Sequence, residues 1–595
     1  MGKLPKMRYG SGTGEVQQVS FGGLKHSVNC ADGEIFDMRN ISVKEHPIMS
    51  VRAQRGKTKV VSETSARIYA DNGVMLRVTE FGLYYEHIQV LEAAEMKDPN
   101  NTFFVRFGNR VLMMPDKVLL NLTYEIKGIA SELPTGPEKG DCYIHKESVI
   151  KGKRLKLWDG EQWQDGGLFA EPIEAHRDLG AVTVGDGTLY GESAKANTIT
   201  LEYTRVEILE MIRIRVGDGI TISGMTVAEN NKTAIVREIG VNAQGKAVLR
   251  FSDYCFTIPE TEDGEEQTSY REEAVTIYRT MPDMEFMFEH GNRLWGAKGK
   301  EIFASKLGDP MNWNCFEGLG DSSWYLATQS KGDITGGISY RYPVFFREGS
   351  MLTVYGTSPA AFQTSETDVA GVRRGCHRSL GRCNGYLVWL AGKGVMLYDG
   401  NSVYPQESVF GEWNIKDMLT LGDGDDFFCV ADPEDTESEV HGIFRYDTGK
   451  GLWTREDCGK IFALTEDEGK MYCLCDTNGR SIQIINGTDP EQEEGTVESF
   501  AEFGDITVGT MNSKHLSKLR LRVELEKEAG LSLWIQYDST GQWQKLYEIL
   551  PGKKRSLFVP VIPRRCDHFR LRLQGRGKWR LFALEKEIYQ GGTKK

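Results

Sequence analysis

The sequence predicts an all-β protein, a β-propeller that carries small inserted β-modules and is followed by a C-terminal β-sandwich. The first observation is composition, because 66 glycines, 18 prolines and 10% aromatic residues in 595 are typical of many short strands joined by tight turns. The second is the recurrence of short alternating apolar runs that flank Gly, Asn or Asp turns. The third is length, since a chain of this size holds about three to five domains at ~100–200 residues each.

Residues 286–316 show the pattern of one propeller blade. The first run has Phe286 and Phe288 ahead of a His-Gly-Asn turn and Leu294 beyond it. The second run has Ile302 and Ala304 and continues to Leu307. An Asp-Pro turn and then a buried-type aromatic, Trp313, follow this run. A strand pair closed by Gly and Asn, and followed by such a turn, predicts a blade.

Similar signals divide the chain into regions. An Asp-Asn-Gly turn at residues 71–73 predicts a type I′ hairpin. Residues 21–52 are predicted to form an extended, turn-rich arm, and Glu260–Glu273 an acidic loop. The predicted regions are 1–130, an N-terminal arm and first propeller blades; 131–170, a small inserted β-module; 171–275, an inserted barrel-like domain; 276–495, the remaining blades; and 496–595, a basic C-terminal β-sandwich.

The first inserted module contains a hairpin with two facing aromatic residues. Trp158 ends one predicted strand, Asp159-Gly160 forms the turn, and Trp163 opens the next strand. The aspartate is favoured there because its side chain bonds to nearby backbone groups. The spacing therefore predicts a cross-strand aromatic pair.

The charge is unevenly distributed. The chain carries 72 basic and 85 acidic side chains, a net charge of −13. Residues 551–595 hold 13 Lys or Arg against three acidic residues, a net charge of +10, so residues 1–550 carry −23. An acidic protein is a poor candidate for tight duplex binding, because phosphate contacts supply most of that affinity. The basic C-terminal region is instead suited to an acidic neighbour or to nucleic acid.

Eleven cysteines are scattered without the spacing of a disulfide framework. The first residues contain no apolar core of a signal peptide, and no run of 18 apolar residues suggests a membrane span. We therefore expect reduced thiols and synthesis in a cytoplasm.

The sequence predicts no catalytic, cofactor-binding or metal-binding residues, and hence no enzyme and no cofactor. Residues 240–246 resemble most of a P-loop, but Ala247 replaces the hydroxyl residue and a predicted strand replaces the helix, so a hairpin turn is expected. Cys473 with Cys475, and Cys376 with its neighbours, lack the second ligand pair of a zinc site.

An arginine-rich strand near the C terminus is the predicted docking edge for a neighbouring subunit. Alternation directs Phe569, Leu571 and Leu573 inward and the intervening arginines outward. A solvated strand face is the other interpretation. The residues of the predicted docking edge are Arg564, Arg565, Arg570 and Arg572.

Four segments resemble β-propeller virion proteins of tailed bacteriophages, a group that includes the tail nozzle of short-tailed phages. The resemblance covers residues 20–55, 284–460 and 497–590. The segments that carry it read DMRN at 37–40, GNRLWGA with IFASKLGDPMNWN within 291–314, IQYDS at 535–539 and PRRCDHFRLRL at 563–573.

This resemblance implies a structural protein located in the virion tail and assembled in the bacterial cytoplasm. It implies a homo-oligomeric ring, six copies in the family, around the channel through which phage DNA leaves without sequence-specific binding. The implied partners are other copies of the chain, adjacent tail and adaptor proteins, and the host surface. The acidic balance would limit adhesion of DNA.

Two alternatives stay open at this point. The first is a receptor- or glycan-binding tail-tip protein, whose inserted modules bind host polysaccharide through an exposed tryptophan cluster. The second is a propeller glycan hydrolase or lyase, since propellers host such sites, although no carboxylate pair is apparent from the sequence.

Overall fold

A computed structural model describes residues 12–56, 59–148, 152–202, 213–411, 413–433, 442–476, 479–487 and 494–590. The chain divides into two compact units, one formed by residues 1–75 with 369–595 and the other by residues 76–368. Strands dominate both units, which confirms the all-β prediction. The helices in these ranges have three or four residues each, about one turn, and none is long and apolar enough to cross a membrane. They are Ala93–Glu95, Pro99–Asn101, Ala228–Asn230, Pro359–Ala361, His377–Ser379 and Glu407–Phe410.

The first unit contains the predicted β-sandwich. Leu519 and Leu521 of one sheet share a single core with Leu571 and Leu573 of the other, and all four are buried. The first sheet has the order Ile41–Ser42, Met49–Val51, Trp579–Gln590, Lys514–Leu525 and Gly552–Val559, with Gly12–Gln18 also paired to Trp579–Gln590; the second has the order Ile35–Arg39, Glu498–Phe503, Phe569–Arg576, Gly530–Tyr537 and Gln544–Ile549.

The N-terminal segment belongs to this sandwich, although the sequence predicts an extended arm there. Ile35–Arg39 pairs with Glu498–Phe503, and Met49–Val51 pairs with the final strand. Met38 and Ile41 are fully or almost fully buried in the sandwich core. The strands are short and separated by turns, so no alternating run marks them as sheet partners in the sequence.

Three four-stranded antiparallel sheets of blade type complete the first unit. In the last of them the fourth strand comes from the N-terminal region, where Lys59–Val60 pairs with Arg480–Ile484. Arg67–Asp71 lies against the same sheet, and Thr465 Oγ1 accepts a hydrogen bond from the Ala70 N–H at 2.9 Å. The sheets are Gly381–Cys383, Tyr386–Ala391, Gly394–Tyr398 and Val403–Pro405; Ile415–Gly422, Asp426–Pro433, Gly442–Asp447 and Leu452–Glu456; and Lys460–Asp467, Lys470–Asp476, Arg480–Ile484 and Lys59–Val60.

A buried ion-pair network fastens the N-terminal segment to the second of these sheets. Arg55 donates to Glu456 Oε2 at 2.7 Å, and both side chains are almost fully buried. Arg52 makes two hydrogen bonds to the Glu494 carboxylate, at 2.7 and 3.0 Å, and a third to Asn40 Oδ1 at 2.9 Å. Charges withdrawn from water are tolerated when they are paired and hydrogen-bonded.

The second unit also contains four-stranded sheets, and in one of them Ile126–Ala130 runs parallel to Cys142–Ser148. One four-stranded sheet has the order Arg67–Asp71, Val74–Thr79, Gly82–Tyr85 and Ile88–Glu92. The other four-stranded sheets are Phe103–Phe107, Arg110–Met114, Val118–Asn121 and Ala170–Pro172; Ile126–Ala130, Cys142–Ser148, Gly152–Trp158 and Trp163–Leu168; Phe286–His290, Arg293–Lys298, Glu301–Ala304 and Trp324–Ala327; and Gly336–Ser339, Pro343–Phe346, Ser350–Tyr355 and Gln363–Asp368.

The blade predicted at residues 286–316 is present as a four-stranded sheet. Trp313 is 2% exposed and its indole N–H donates to the Pro310 carbonyl at 3.0 Å. Asp309 holds the turn, because its carboxylate accepts the Met311 N–H at 3.0 Å. The type I′ turn predicted at residues 71–73 is also confirmed, since Asn72 and Gly73 both have positive φ. Closure of these sheets into a propeller ring stays a prediction.

The inserted strands enter at defined places. The sheet of residues 126–168 lies between the third and fourth strands of the blade that ends in Ala170–Pro172. The next insertion is one seven-stranded antiparallel sheet around its own apolar core. Its strands, in spatial order, are Thr233–Ile235, Gly219–Ser223, Ser269–Arg279, Ala175–Leu189, Glu192–Leu201, Ala247–Arg250 and Glu238–Val241.

Two details of this insertion bear on the sequence predictions. The predicted acidic loop ends earlier than expected, because a strand begins at Ser269 and buries Glu272, which accepts hydrogen bonds from the N–H and hydroxyl of Thr226, both at 2.8 Å. The P-loop-like segment is a hairpin, as predicted. Asn242 Oδ1 accepts the Lys246 N–H there at 2.9 Å.

The cysteines are all free thiols. Nine of the eleven are buried, and burial raises the pKa of Cys429, for example, to about 12. The reduced state expected of these thiols in a cytoplasm stays a prediction. A thiol with so high a pKa is a poor nucleophile.

Candidate functional site

The sheet of residues 126–168 presents an aromatic face. In its strands Cys142–Ser148 and Gly152–Trp158, the buried side chains Cys142, Ile144 and Leu155 point to the inner side. Because successive strand residues point to opposite sides, Tyr143 and Trp158 lie on the outer side. Trp163 joins them, since it pairs directly with Trp158 across the hairpin. The three rings, here called the aromatic face, are half-buried.

The rings of the aromatic face form a continuous row. The centroids of Trp158 and Trp163 are 5.3 Å apart with the planes at 60°, and those of Tyr143 and Trp163 are 6.0 Å apart at 83°. Gly128, on the neighbouring strand, leaves room for Tyr143, because a β-carbon there would stand 3.3 Å from the tyrosine ring. Edge-to-face contacts of this kind are favourable, and they fix the relative tilt of the rings.

The turn at Asp159 fixes the position of both tryptophans. Its Oδ1 accepts the N–H groups of Glu161 and Gln162, each at 2.8 Å, and its Oδ2 accepts the Gln164 side-chain amide at 2.7 Å. Hydrogen bonds from the Gln162 and Glu161 backbone and from Gln164 lower the pKa of Asp159 to about 2. The carboxylate is therefore charged, and the turn intact, over the physiological pH range.

Charged side chains border the aromatic face. Arg154 contacts both oxygens of the Asp165 carboxylate, with Nε donating to Oδ1 at 3.1 Å and Nη2 lying 2.7 Å from Oδ2. Lys156 lies between Tyr143 and Asp165 in the strand register. Lys127 pairs with Asp141 at 2.6 Å near the start of the sheet. The surface therefore combines half-buried aromatic rings with fixed donors and acceptors, a combination suited to binding a ligand that has both apolar and hydroxylated faces.

The predicted docking arginines fall into two groups. Arg570 pairs with Glu502 at 3.2 Å and with Asp505 at 2.5 Å, and Arg572 donates to Glu502 at 2.6 Å. Because Phe569, Leu571 and Leu573 are buried, both arginines lie on the outer side of the sheet as predicted, but carboxylates of the same unit engage their charges. Arg564 and Arg565 are exposed, and the guanidinium of Arg564 lies 5.0 Å from the centroid of the Tyr537 ring. A docking role stays a prediction for all four.

Asp538, Asp567 and His568 form the one cluster in the described ranges whose ligand atoms are close enough to share a metal ion. The His568 ring contacts Asp567 through Nδ1 and Ser539 Oγ through Nε2, the latter at 2.7 Å. The Asp538 carboxylate accepts the Asp567 N–H at 2.8 Å. These hydrogen bonds explain why the three side chains lie close together without a metal ion, and the two aspartates are solvent-exposed.

A hydrolytic site would require a carboxylic acid with a raised pKa near an ionised carboxylate. Among the described carboxyls, Asp37 and Asp116 have clearly raised pKa values, in both cases because of burial. Asp37 is 3.3 Å from Arg455, and Asp116 accepts the Lys97 N–H. Burial alone would raise the pKa of Glu456, but Arg55, Arg52 and Arg445 hold it below its usual range. That carboxyl is an ion-pair partner and not a general acid.

No protein-family model matches the chain, and no curated protein matches it. Among solved structures, the chain is similar to an exo-β-1,3-galactanase from Phanerochaete chrysosporium, with 9% identity over 51% of this chain and 95% of the galactanase, at a TM-score of 0.21. It is also similar to a glycoside hydrolase, with 9% identity over 82% of this chain and 97% of that one, at a TM-score of 0.13. Likenesses at these scores carry no argument about activity.

Proposed function

We propose that this chain is a structural virion protein of a tailed phage, which forms a ring around the DNA exit channel at the end of the tail. The proposal rests on the resemblance of four sequence segments to phage β-propeller virion proteins. One structural observation supports treating those segments as a set. The DMRN strand, Ile35–Arg39, and the FRLRL strand, Phe569–Arg576, come from opposite ends of the chain and both pair with Glu498–Phe503.

The proposed mechanism is assembly, with the blades and the sandwich as rigid blocks. The aromatic residues and buried ion pairs described above fix side chains within each unit, which suits a scaffold that must keep its shape under load. The net charge of −13 disfavours adhesion of a polyanion that has to slide past.

Gold-labelled antibody electron microscopy on purified particles tests this proposal. We expect label at the free end of the tail. Label on side appendages, or particles without label, would contradict the nozzle assignment. Antibody against a known major capsid protein serves as the positive control for particle integrity.

A second candidate function, glycan binding, is favoured by the aromatic face. A pyranose ring offers a C–H face that stacks on an aromatic ring, while its hydroxyl groups bond to charged side chains such as Arg154 and Asp165. Rings half-exposed at the rim of a small sheet, with fixed polar neighbours, provide both kinds of contact. On a virion this surface would hold a bacterial cell-surface polysaccharide.

Replacing Trp163 by Ala is expected to weaken glycan binding by about tenfold or more, because it removes the central ring of the aromatic face. Binding is measured with an array of bacterial polysaccharides, followed by calorimetry on any that bind. Phe81→Ala is the matched control, because Phe81 is another exposed aromatic of the same unit, 55% accessible. If no polysaccharide binds, or if both variants bind equally, the aromatic face has no such role.

A further inference from the structure

A basic, partly apolar strand edge lies at one side of the sandwich. Gly552–Val559 is the last strand of its sheet and, in the residues the structure describes, pairs with Lys514–Leu525 alone. Its other side presents unpaired backbone groups, which can accept another chain. The segment from residue 550 to 565, which contains this strand and both flanking turns, is called the basic edge below.

The basic edge has five cationic side chains and no acidic one. None of the five has a carboxylate within 4.0 Å in the described part of the chain. Three of them contact neutral groups: Arg555 donates to the Leu550 carbonyl at 2.7 Å, the Lys554 ammonium lies 4.0 Å from the Phe582 ring centroid, and Arg564 lies 5.0 Å from the Tyr537 ring centroid. The cations are Lys553, Lys554, Arg555, Arg564 and Arg565.

Three large apolar side chains of the basic edge are exposed. Leu550 is 67% accessible, Phe558 is 55% and Ile562 is 88%. Lysines on an open strand edge are a common protection against unwanted pairing. That protection does not account for an exposed phenylalanine and isoleucine beside them, because exposed apolar groups promote association. Cations around apolar anchors are instead the composition of a docking surface.

The chain also contains an acidic surface of matching charge. Residues 260–266 are the part of the predicted loop that precedes the strand at Ser269, and the name acidic loop is used below for these residues alone. They hold five carboxylates and no cation, and all five side chains are exposed. The loop has a defined form, because Thr261 Oγ1 accepts the Glu265 N–H at 2.8 Å and the Thr261 N–H donates to the Glu265 carbonyl at 3.1 Å. The acidic residues are Glu260, Glu262, Asp263, Glu265 and Glu266.

We infer that the basic edge docks on the acidic loop of a second copy of this chain. Complementary charge steers the two copies together, and the exposed apolar residues of the edge become buried on contact. Different surfaces meet in such a contact, so it is heterologous and can repeat to form a closed ring. The inference deepens the proposed ring and rests on it for the expectation that copies associate, but it is tested in solution without virions.

Reversing charges on the basic edge and on the acidic loop tests the contact between them. Purified full-length chain is examined by sedimentation velocity over a concentration series, at about 0.05 and 0.5 M salt, since salt screens exposed charges. We expect association at low salt that weakens at high salt. K553E/K554E is expected to raise the dissociation constant by about tenfold or more. A second variant, E262K/E266K, is then mixed with K553E/K554E in equimolar amounts. We expect the mixture to recover association, because the unchanged basic edge of E262K/E266K can dock on the unchanged acidic loop of K553E/K554E.

The matched control is K416E/K470E, which changes the net charge equally at exposed lysines of the blade sheets. The inference is overturned if the wild-type chain stays monomeric, if the control weakens association as much as K553E/K554E, or if the mixture shows no recovery. Fluorescence anisotropy with a duplex oligonucleotide tests whether the basic edge binds DNA instead of the acidic loop. Loss of DNA binding in K553E/K554E with unchanged association would also overturn the inference. None of these results depends on where antibody labels the particle, so the proposed function can fail separately.

Discussion

Replacing Glu456 by Ala is expected to destabilise the unit formed by residues 1–75 and 369–595 by about 3–5 kcal/mol, because it leaves buried cations without their acceptor. Glu456 is 2% exposed and bonds to Arg55, which is 3% exposed, at 2.7 Å. Arg52 and Arg445 each lie 3.7 Å from the same carboxylate. The loss is larger than the net value of the pair, since an unpaired buried charge retains its full desolvation cost.

The measurement is urea unfolding followed by circular dichroism, together with hydrogen exchange. Exchange is expected to accelerate most in residues 40–55, the segment that the network fastens. Glu548→Ala is the control, because Glu548 is 62% exposed in its pair with Lys545 and such pairs contribute about 0–1 kcal/mol. Equal losses in the two variants, or uniform acceleration of exchange, would show that the network does not hold this segment.

The same network predicts that the free energy of unfolding falls at acid pH. The pKa of Glu456 lies below its ordinary value of 4.5 in the folded chain, so the unfolded chain binds its proton first on acidification. The stabilisation is therefore complete above pH 4.5 and is lost as the pH falls through the lower, folded value. Glu456→Gln cannot titrate, and its unfolding midpoint is expected to change less than that of the wild type between pH 6 and pH 3.

Replacing Trp295 by Ala is expected to destabilise the unit of residues 76–368 by about 3–5 kcal/mol, the usual cost of deleting a large buried ring. Trp295 is 1% exposed and its indole N–H donates to the His290 carbonyl at 3.1 Å. Its ring centroid lies 6.4 Å from that of Phe345 and 5.3 Å from that of Phe362. Phe345 lies in the strand Pro343–Phe346 and Phe362 directly precedes the strand Gln363–Asp368, and both strands belong to the next sheet along the chain. The indole therefore packs between its own sheet and the next one.

Urea unfolding measures the loss, and hydrogen exchange locates it in the strands Arg293–Lys298 and Pro343–Phe346. Tyr325→Ala is the control, since Tyr325 is 43% exposed in the same blade and substitutions at the surface rarely cost more than about 1 kcal/mol. Trp295→Phe should fall between the two. A Trp295→Ala chain as stable as the control would mean that the consecutive sheets do not depend on this ring.

The sequence alone predicted features that depend on local periodicity and turn chemistry. Alternation at Phe569, Leu571 and Leu573 identified a strand with its buried side, and all three are fully buried. The Asn-Gly pair at residues 72–73 and the Asp-Pro turn before Trp313 formed the turns expected of them. Such signals are local because the side chain and the backbone it bonds to are neighbours in sequence.

Tertiary structure decided which distant segments pair. The strands of residues 12–51 complete the C-terminal sandwich, and Lys59–Val60 completes a blade whose other strands begin at Lys460. A short strand has too few residues for its sequence to specify which strand it pairs with, and pairing between the ends of a chain depends on the whole fold.

The ion-pair partners of the arginines were also decided by the tertiary structure. Arg570 and Arg572 look as available as Arg564 in the sequence, but Glu502 and Asp505 engage them. Alternation specifies the side of a sheet to which an arginine points, whereas its ion-pair partner depends on the neighbouring strand.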